Sequence, residues 1–575
     1  MRRRDFNALS VGGLFSCAAA QAVRARESTT LTPDRYFDRL ETFGFSGGAF
    51  VVEDGGTVWS RAVGWADKTG LVRFSDHTLF NIASVTKPIT ALTVLALVAE
   101  GKISLGDPLG RFIPGAPDDK ATITIGELLS HTAGLRREVR RPRGPLQRDA
   151  MLAPILASEL AAPRGERFSY SNEGYRLLAA VIEIADGRSY RDAVRARILE
   201  PAGMTETGFV QDYRSDLTIA QGYSAWGGLG DFRTQRAGWN EGAGNLVSTL
   251  GDMQRFVVGL SAGRIIPVDL LNQAVSMHSP NAGETSYEGY GYGWFLTTLM
   301  NGSKLAFHGG DNTGYHSELR CYPAAHRWIF VTTTREAYDD SGTGLGLHVP
   351  RIAANLSRLR QDEPFDFPPD GVPVPRSQDA RLTGDFVTSD GVLRLVRIHP
   401  ADPHLTAVAI GQAAANALRG VAAEDAAELD QANSETLRIA RMIVGEDVSG
   451  LNATPLLSFF ADGWLTSFEH WRTELGPWLG FGPITSGVTP VGEKQIRTHL
   501  PFRFERGERV QEFTWNDGRL YETLTGTGSP SSVMLPVAHL AGHTFSTWDI
   551  VTNARTTMSV VQGRLTTGAK TFHRA

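Results

Sequence analysis

Ser84 and Lys87 are the residues whose types and spacing best suit covalent chemistry. They lie in the segment Ser84-Val85-Thr86-Lys87, which opens a run (PITALTVLALVAE) that predicts a helix. Residues three apart on a helix share a face, with Cβ atoms about 5–6 Å apart. A lysine that loses its charge on burial can deprotonate a serine, and an N–H at a first helical turn can stabilise an oxyanion. The segment therefore predicts a nucleophile, a base and one oxyanion donor.

The alternative interpretation of this segment is an ordinary solvated helix face, since Ser and Lys occur three apart often by chance. The residues that follow favour the catalytic interpretation. Apolar side chains recur at Ile89, Leu92, Leu95 and Leu97, with little that is polar before Glu100. This pattern predicts a helix that is buried on nearly all sides, with the lysine at its N-terminal end.

Tyr170 and Asn172 form a second candidate pair, in a turn-rich stretch that precedes a predicted helix. Side chains two residues apart in an extended segment project the same way. A tyrosine held near a cation can ionise below its usual pKa and relay a proton. Asn172 could bind a substrate amide or hold Lys87 in place. Alone, a Tyr-x-Asn pattern is a weak signal.

A third candidate segment follows the predicted strand of residues 304–307 and reads His308-Gly309-Gly310-Asp311. Glycines after a strand let a substrate backbone lie close, and they leave an N–H available to an oxyanion. This segment could therefore lie against a substrate backbone and donate to an oxyanion.

Two other patterns suggest chemistry but have simpler explanations. His131 ends a predicted short helix, where a histidine more often satisfies local backbone groups than acts as a base. Gly259-Leu260-Ser261-Ala262-Gly263 matches G-x-S-x-G, but a nucleophile elbow needs a strand before the serine. Here a predicted helix comes first, which indicates a helix C-terminus. The 14 histidines include no H-E-x-x-H or comparable ligand cluster, so we expect no metal and no cofactor.

The three candidate segments together, in this order, resemble the motifs of the serine β-lactamase and penicillin-recognising family. The similarity is greatest to the class C β-lactamase-like group, with its D-alanyl-D-alanine carboxypeptidases, D-aminopeptidases and esterases. The segments LLSHTAGL and GAGNLVST also resemble that group. The resemblance covers residues 32–360. It implies an α+β fold in which a five-stranded antiparallel sheet is flanked by helices and joined to a helical subdomain.

The resemblance also implies a role for each site residue. Ser84 would be the nucleophile, Lys87 its base or proton partner, and Tyr170 the proton relay. The backbone N–H groups of Ser84 and Asp311 would form the oxyanion hole. The substrate-binding residues would be Asn172, His308, Gly309 and Gly310. True class C β-lactamases usually carry lysine where this chain has His308, so the resemblance favours a peptidase or esterase over antibiotic hydrolysis.

Composition excludes some classes of function. The chain has 575 residues and a net charge of −5, with no basic excess that would indicate a nucleic-acid partner. No apolar run of transmembrane length follows the N-terminus. Residues 1–26 resemble a twin-arginine export signal, with Arg3, Arg4 and Phe6 before a mildly apolar stretch. We therefore expect a periplasmic or secreted protein. Alternatives are a lipid anchor on Cys17 and a disordered basic tail on a cytoplasmic protein.

The chain beyond residue 360 predicts separate units. Residues 361–378 are rich in proline and acids and predict a stiff linker. Residues 379–575 predict a β-rich region that resembles lipocalin-like appendages, with an α+β insertion at 422–525. Trp464, Trp471 and Trp478 could line a ligand pocket, although such aromatic residues more often belong to a core.

The sequence thus predicts an exported serine hydrolase that forms an acyl-enzyme on Ser84 and cleaves a small ester, an amide or a D-amino-acid peptide. One alternative is a β-lactamase. Another, from a different class, is a sensor that binds penicillin or peptidoglycan fragments without turnover. The sequence does not fix the substrate, the role of the C-terminal region or the oligomeric state.

Overall fold

The computed structural model describes most of the chain from residue 31 onward. The described residues are 31–67, 71–139, 147–224, 227–234, 241–280, 287–299, 301–312, 314–334, 349–361, 363, 367–389, 391–397, 404–410, 414, 417–418, 426–445, 464–465, 467–469, 471–473, 475–482, 484–489, 495–516, 519–525, 532–548, 555–567 and 570–575. The predicted export signal and Cys17 lie outside them. No helix in these ranges has the length and apolar character needed to cross a membrane.

The helices are concentrated in the first 360 residues. They are α1 Pro33–Thr42, α2 Thr86–Ala99, α3 Asp118–Ala121, α4 Ile125–Leu129, α5 Arg148–Ala157, α6 Asn172–Asp186, α7 Tyr190–Val194, α8 Glu200–Ala202, α9 Leu250–Ser261, α10 Val268–Ala274, α11 Val349–Leu359, α12 Asp379–Leu382 and α13 Ala426–Ile443. A 3₁₀ turn, Ala83–Val85, leads directly into α2. The sequence predicts a closing helix at residues 343–359, of which 343–348 lie outside the described residues and Val349–Leu359 is helical.

One antiparallel sheet organises this part of the chain. Its strands are β1 Gly47–Glu53, β2 Gly56–Val63, β3 Ser279–Pro280, β4 Gly289–Tyr290, β5 Phe295–Thr298, β6 Lys304–Asn312, β7 Tyr315–Tyr322 and β8 Arg327–Thr333. Their order is β3-β4-β5-β6-β7-β8-β1-β2. Short strands outside this sheet are Trp65–Asp67, Val72–Arg73, Phe80–Asn81, Gly208–Phe209, Gly222–Ser224, Gly227–Gly230 and Leu246–Ser248.

The expectation of five strands was therefore wrong, because the sheet has eight. The five strands β6, β7, β8, β1 and β2 form a continuous block, and β5, β4 and β3 extend it at the β6 edge. The sequence of residues 290–298 predicts one continuous strand. Gly293 interrupts it with a φ of 87°, where an added Cβ would lie 3.1 Å from the carbonyl oxygen of Lys87. The chain must turn there, so it forms two short strands.

Both faces of the sheet are covered, which explains why β1 is buried along nearly its whole length. Phe50 and Val52 face the larger core, together with α2, α6 and α9. Ala49 and Val51 face a second core that includes α1 and α11. Alternation along the strand sends successive side chains into opposite layers. Helix α2 is buried from Thr86 to Leu95, as its apolar pattern predicts.

The C-terminal region is β-rich. Its strands are β9 Val372–Pro373, β10 Gly384–Thr388, β11 Gly391–Val396, β12 Leu405–Ile410, β13 Trp478–Phe481, β14 Thr485–Thr489, β15 Gln495–Phe504, β16 Gly507–Asn516, β17 Arg519–Thr525, β18 Ser532–Ala541, β19 Thr544–Trp548, β20 Arg555–Val561, β21 Arg564–Thr567 and β22 Lys570–Arg574. One sheet runs β9-β18-β12-β11-β10-β22-β21-β20-β19, and β18 also pairs with β19. This last pairing closes eight of the nine strands into a barrel.

A second unit is inserted between β12 and β18. It comprises α13 and the sheet of β13 to β17, which share a core of their own. Trp464 and Trp471 are buried in that core, and Trp478 packs against it. The core interpretation of these tryptophans is therefore confirmed.

The barrel and the linker contact the first helix of the chain. Arg39 on α1 donates to the carbonyl oxygen of Pro368 at 3.0 Å and forms an ion pair with Asp370 at 2.7 Å. His404 Nε2 lies 3.0 Å from the carbonyl oxygen of Glu41. These contacts fall on the α1 side of the main sheet, whereas α2 lies on the other side.

Candidate active site

Ser84 occupies the 3₁₀ turn between a short strand and α2. The preceding residue, Ala83, has a φ of 45°, a left-handed conformation that costs about 1–2 kcal/mol for a residue with a Cβ. The backbone N–H of Ala83 donates to Oδ1 of Asn81 at 2.7 Å and helps to hold this conformation. The strained turn leaves Ser84 half-buried at the head of a helix that is buried from Thr86 to Leu95. Such strain is concentrated at functional sites.

Lys87 is the immediate partner of Ser84. Its Nζ lies 3.1 Å from Ser84 Oγ and donates to the carbonyl oxygen of Ala243 at 2.8 Å. The side chain is fully buried, and burial lowers the pKa of the Lys87 amine well below its ordinary value, with Arg176 and Arg137 contributing. A neutral amine has a lone pair that can accept the Ser84 proton. The expectation of a buried lysine next to the serine is confirmed.

Tyr170 lies on the other side of Lys87, whose Nζ is 4.9 Å from the phenol ring centroid. We expected a nearby cation to lower the pKa of this phenol. Instead burial raises the pKa of Tyr170 to about 12, and a side-chain hydrogen bond with Ser84 and the charge of Arg137 offset only part of this rise. Desolvation outweighs the cations because the phenolate would have to form in an apolar pocket. Tyr170 is therefore a protonated phenol at neutral pH.

Asn172 is the first residue of α6, after the N-cap Ser171. Its amide donates to Glu138 Oε1 at 2.5 Å, and Glu138 also accepts from Arg176 at 3.1 Å. In this arrangement the amide is directed to Glu138 at the rim of the site. The partners of Lys87 Nζ are Ser84 and the Ala243 backbone, a loop that sequence reasoning did not associate with the site.

Gly310 sets how closely β6 approaches the nucleophile. A Cβ on Gly310 would lie 2.2 Å from the carbonyl oxygen of Ile82 and 3.2 Å from the backbone nitrogen of Ser84. A side chain here would push the strand away from the turn that carries Ser84. At Gly309 the nearest atom to an added Cβ is 4.0 Å away, so that position is open. The expected proximity of this strand to Ser84 is therefore present.

Strand β6 presents a free edge beside Ser84. Its pairing with β5 ends at Phe307, opposite Phe295. From His308 to Asn312 it pairs only with β7 among the described strands, with Asp311 opposite His316. The side chain of Asp311 also contacts His316 Nδ1 at 2.5 Å. On the β5 side, no described strand pairs with residues 308–312, which leaves an edge that a substrate backbone could approach.

His308 is a neutral residue in this site. Its Nδ1 donates to the carbonyl oxygen of Gly309 at 2.7 Å, and its Nε2 accepts from the Tyr290 hydroxyl at 3.1 Å. Burial lowers the pKa of His308 to about 3, with the charge of Lys87 contributing. A lysine at this position would place a cation beside the substrate, which His308 does not do near neutral pH.

His131 packs behind Tyr170, with ring centroids 4.5 Å apart. Its Nδ1 accepts from the Ser171 backbone N–H at 3.1 Å, while its buried Nε2 has no hydrogen-bond partner among the described residues. Burial lowers the pKa of His131 well below its ordinary value. His131 thus satisfies a backbone group, as expected, but that group is the N–H of Ser171, 40 residues along the chain, and not a local one at its own helix end. The backbone that it holds adjoins Tyr170.

The G-x-S-x-G match is confirmed as a helix end. Ser261 is the last residue of α9, and its hydroxyl donates to the carbonyl oxygen of Val257 at 2.9 Å. The structure thus brings together Ser84, Lys87, Tyr170 and the β6 edge, and it leaves Ser261 elsewhere. Within the described ranges, no three His, Cys, Asp or Glu side chains are grouped so as to hold a metal ion.

Comparison with known proteins gives one family. A family model described as Beta-lactamase matches residues 34–349. Over 386 residues the chain is 28% identical to Penicillin-binding protein 4* of Bacillus subtilis (strain 168), covering 61% of this chain and 82% of that protein. It is 27% identical over 263 residues to PbpX of the same strain, covering 45% of this chain. That match spans 63% of PbpX, less than two thirds of its length.

A solved structure shows the same fold. The D-amino acid amidase of Ochrobactrum anthropi SV3, in complex with L-phenylalanine amide, matches with a TM-score of 0.50 and 22% sequence identity. The match covers 59% of this chain and 98% of that one.

Proposed function

Because this chain belongs to the beta-lactamase family of serine hydrolases and penicillin-binding proteins, we propose that it forms an acyl-enzyme on Ser84 and cleaves a small ester, an amide or a D-amino-acid peptide. The observation that carries this proposal is the 3.1 Å contact between Ser84 Oγ and the Nζ of the buried Lys87. A surface lysine would be protonated and could not take the serine proton. Export of the protein, inferred from residues 1–26, is part of the proposal.

The proposed reaction assigns a residue to each step. Lys87 Nζ takes the Ser84 proton as Oγ attacks the substrate carbonyl carbon. The tetrahedral oxyanion accepts hydrogen bonds from the Ser84 and Asp311 N–H groups. When it collapses, the bond to the leaving group breaks, the Tyr170 hydroxyl passes a proton to that group, and the Lys87 ammonium returns a proton to Tyr170. Water then attacks the acyl-enzyme and gives a proton to Lys87 Nζ; as the second tetrahedral intermediate collapses, that proton returns to Ser84 Oγ and the acid departs.

The free edge of β6 suggests how the substrate lies. An extended peptide or acyl amide can add to an open strand edge through backbone hydrogen bonds. Gly309 and Gly310 offer no side chain that would obstruct such an approach. This favours an amide or peptide over an arbitrary small ester.

A β-lactam substrate is the second candidate, since one relative is named a penicillin-binding protein. The neutral His308 counts against rapid β-lactam hydrolysis. The pKa of His308 is about 3, so no cation stands where class C β-lactamases usually have lysine. We therefore rank esters, amides and D-peptides first.

The test is stopped-flow release of nitrophenol from a 4-nitrophenyl ester by the full chain. The wild type is expected to give a stoichiometric burst followed by turnover. Ser84→Ala should lose both, while Ser261→Ala, at the other candidate serine, should keep both. A burst without turnover would favour the sensor alternative. An unchanged burst in Ser84→Ala would disprove the proposal.

A further inference from the structure

Arg137 is an exposed cation at the edge of the candidate site. Its guanidinium carbon lies 5.6 Å from the centroid of the Tyr170 ring, on which Lys87 Nζ also lies at 4.9 Å. The charge of Arg137 contributes to lowering the pKa of Lys87, Tyr170 and His131. Arg137 therefore faces the groups that would do the chemistry, and the site is within reach of its electric field.

The charged groups around Arg137 are already paired, but Arg137 makes no ion pair or side-chain hydrogen bond with a described residue. Its neighbour Glu138 accepts hydrogen bonds from Asn172 and from the buried Arg176. Arg176 also forms an ion pair with Glu173 at 2.9 Å. The carboxylate nearest in sequence is thus committed to other partners and does not satisfy the Arg137 guanidinium.

Burial or pairing counts against the other described basic groups of the site as cations that bind an anion. Burial favours the neutral form of Lys87 and holds the pKa of His308 at about 3. Arg176 is buried and paired. Among the described residues that line the Ser84 site, Arg137 is therefore the permanent positive charge that a substrate can meet. A guanidinium binds carboxylates through two parallel hydrogen bonds.

We propose that Arg137 is a specificity-determining residue that binds a carboxylate of the substrate, so the preferred substrates are anionic esters, amides or peptides. This inference rests on the proposed acyl-enzyme function and names the substrate class for it. Stacking on Tyr170 orients the guanidinium towards the site and lowers the entropy cost of binding.

The test compares matched neutral and anionic esters on the full chain. One pair carries the charge on the acyl group: 4-nitrophenyl pentanoate and mono-4-nitrophenyl glutarate. The other carries it on the leaving group: phenyl acetate and 4-carboxyphenyl acetate. Arg137→Gln removes the charge, and Arg137→Lys keeps it without the two-pronged geometry. Arg136→Gln is the matched control, because Arg136 pairs instead with Glu159 at 3.8 Å.

The wild type is expected to prefer at least one anionic ester over its neutral partner. Arg137→Gln should then lower kcat/KM for that ester about tenfold. Removing the Arg137 charge also shifts the pKa of Lys87 and so acts on both esters. The readout is therefore the ratio of the two losses in kcat/KM, measured on the pH plateau of each variant, and the neutral ester should lose several-fold less than the anionic one, which a packing role alone would not produce. Arg137→Lys should retain part of the preference, and Arg136→Gln should match the wild type. The preference should also weaken at high salt in the wild type.

Two results would overturn the inference. One is the absence of a preference for either anionic ester. The other is an equal loss on neutral and anionic esters in Arg137→Gln, which would assign Arg137 to packing against Tyr170. Neither result affects the proposed function, since a Ser84-dependent burst with the neutral esters reports on that function separately.

Discussion

Replacing Gly310 by alanine is a sharp test of how the site is assembled. The added Cβ would lie 2.2 Å from the carbonyl oxygen of Ile82, where an ordinary contact needs more than 3.4 Å. The strand and the Ser84 turn must therefore separate by about 1 Å, which moves the Asp311 N–H away from the oxyanion. A shift of this size, or the loss of one oxyanion donor, costs about 100-fold in rate. That corresponds to about 2.7 kcal/mol of transition-state stabilisation.

The neighbouring glycine supplies the control. A Cβ on Gly309 meets nothing closer than 4.0 Å, so Gly309→Ala should acylate at close to the wild-type rate. The assay is the burst rate of nitrophenol release, with thermal unfolding to establish that both variants are folded. If Gly310→Ala is folded and acylates as fast as Gly309→Ala, the close approach of β6 to Ser84 has no catalytic role, and the oxyanion assignment to this strand is refuted.

Three further predictions concern ionisation and proton transfer. The burst rate should rise with pH to a plateau well below pH 10, because the pKa of Lys87 is lowered. If Tyr170, with a pKa of about 12, were the base instead, the burst rate would rise over the whole accessible pH range. The pH profile of the burst rate distinguishes these two bases. Tyr170→Phe should slow an alkyl ester at least about tenfold more than a nitrophenyl ester, since nitrophenolate leaves without a proton, and equal losses in kcat/KM would exclude the proton relay. Because the folded pKa of His308 is about 3 and its ordinary value 6.5, folding stability should fall as pH drops below 6.5, by about 4 kcal/mol near pH 3. Denaturant unfolding should show a smaller loss over this range in His308→Gln, and an unchanged loss would contradict the assignment.

The sequence predicts the part of the site that is local. Ser84 and Lys87 are three residues apart on one helix, so their proximity follows from helix geometry alone. The burial of Lys87 follows from the apolar run after it. Likewise, the glycines at 309 and 310 indicate that another backbone segment approaches this strand closely. The sequence does not show that only one of the two positions lacks room for a side chain. Only the fold shows that Gly310 faces the Ile82 carbonyl and Gly309 does not.

The parts that could not be predicted depend on contacts between distant segments. The Ala243 carbonyl that holds Lys87 is 156 residues away along the chain. The raised pKa of Tyr170 comes from burial of its side chain, which the sequence around Tyr170 does not predict. Arg137 lies in a loop whose sequence contains no recognisable motif, and its stacking on Tyr170 is seen only in the folded structure. The three added strands of the main sheet are two to four residues long. They are too short for the alternation of apolar and polar residues that identifies a strand to be recognised in the sequence.

The central claim is that Ser84 Oγ is the activated nucleophile of this site, and intact-protein and peptide mass spectrometry test it most directly. The full chain would be treated with a fluorophosphonate, which traps an activated serine, and then digested. The predicted result is one adduct per chain on the peptide that contains Ser84, absent in Ser84→Ala and retained in Ser261→Ala. An adduct on the Ser261 peptide, or labelling that persists in Ser84→Ala, would contradict this account.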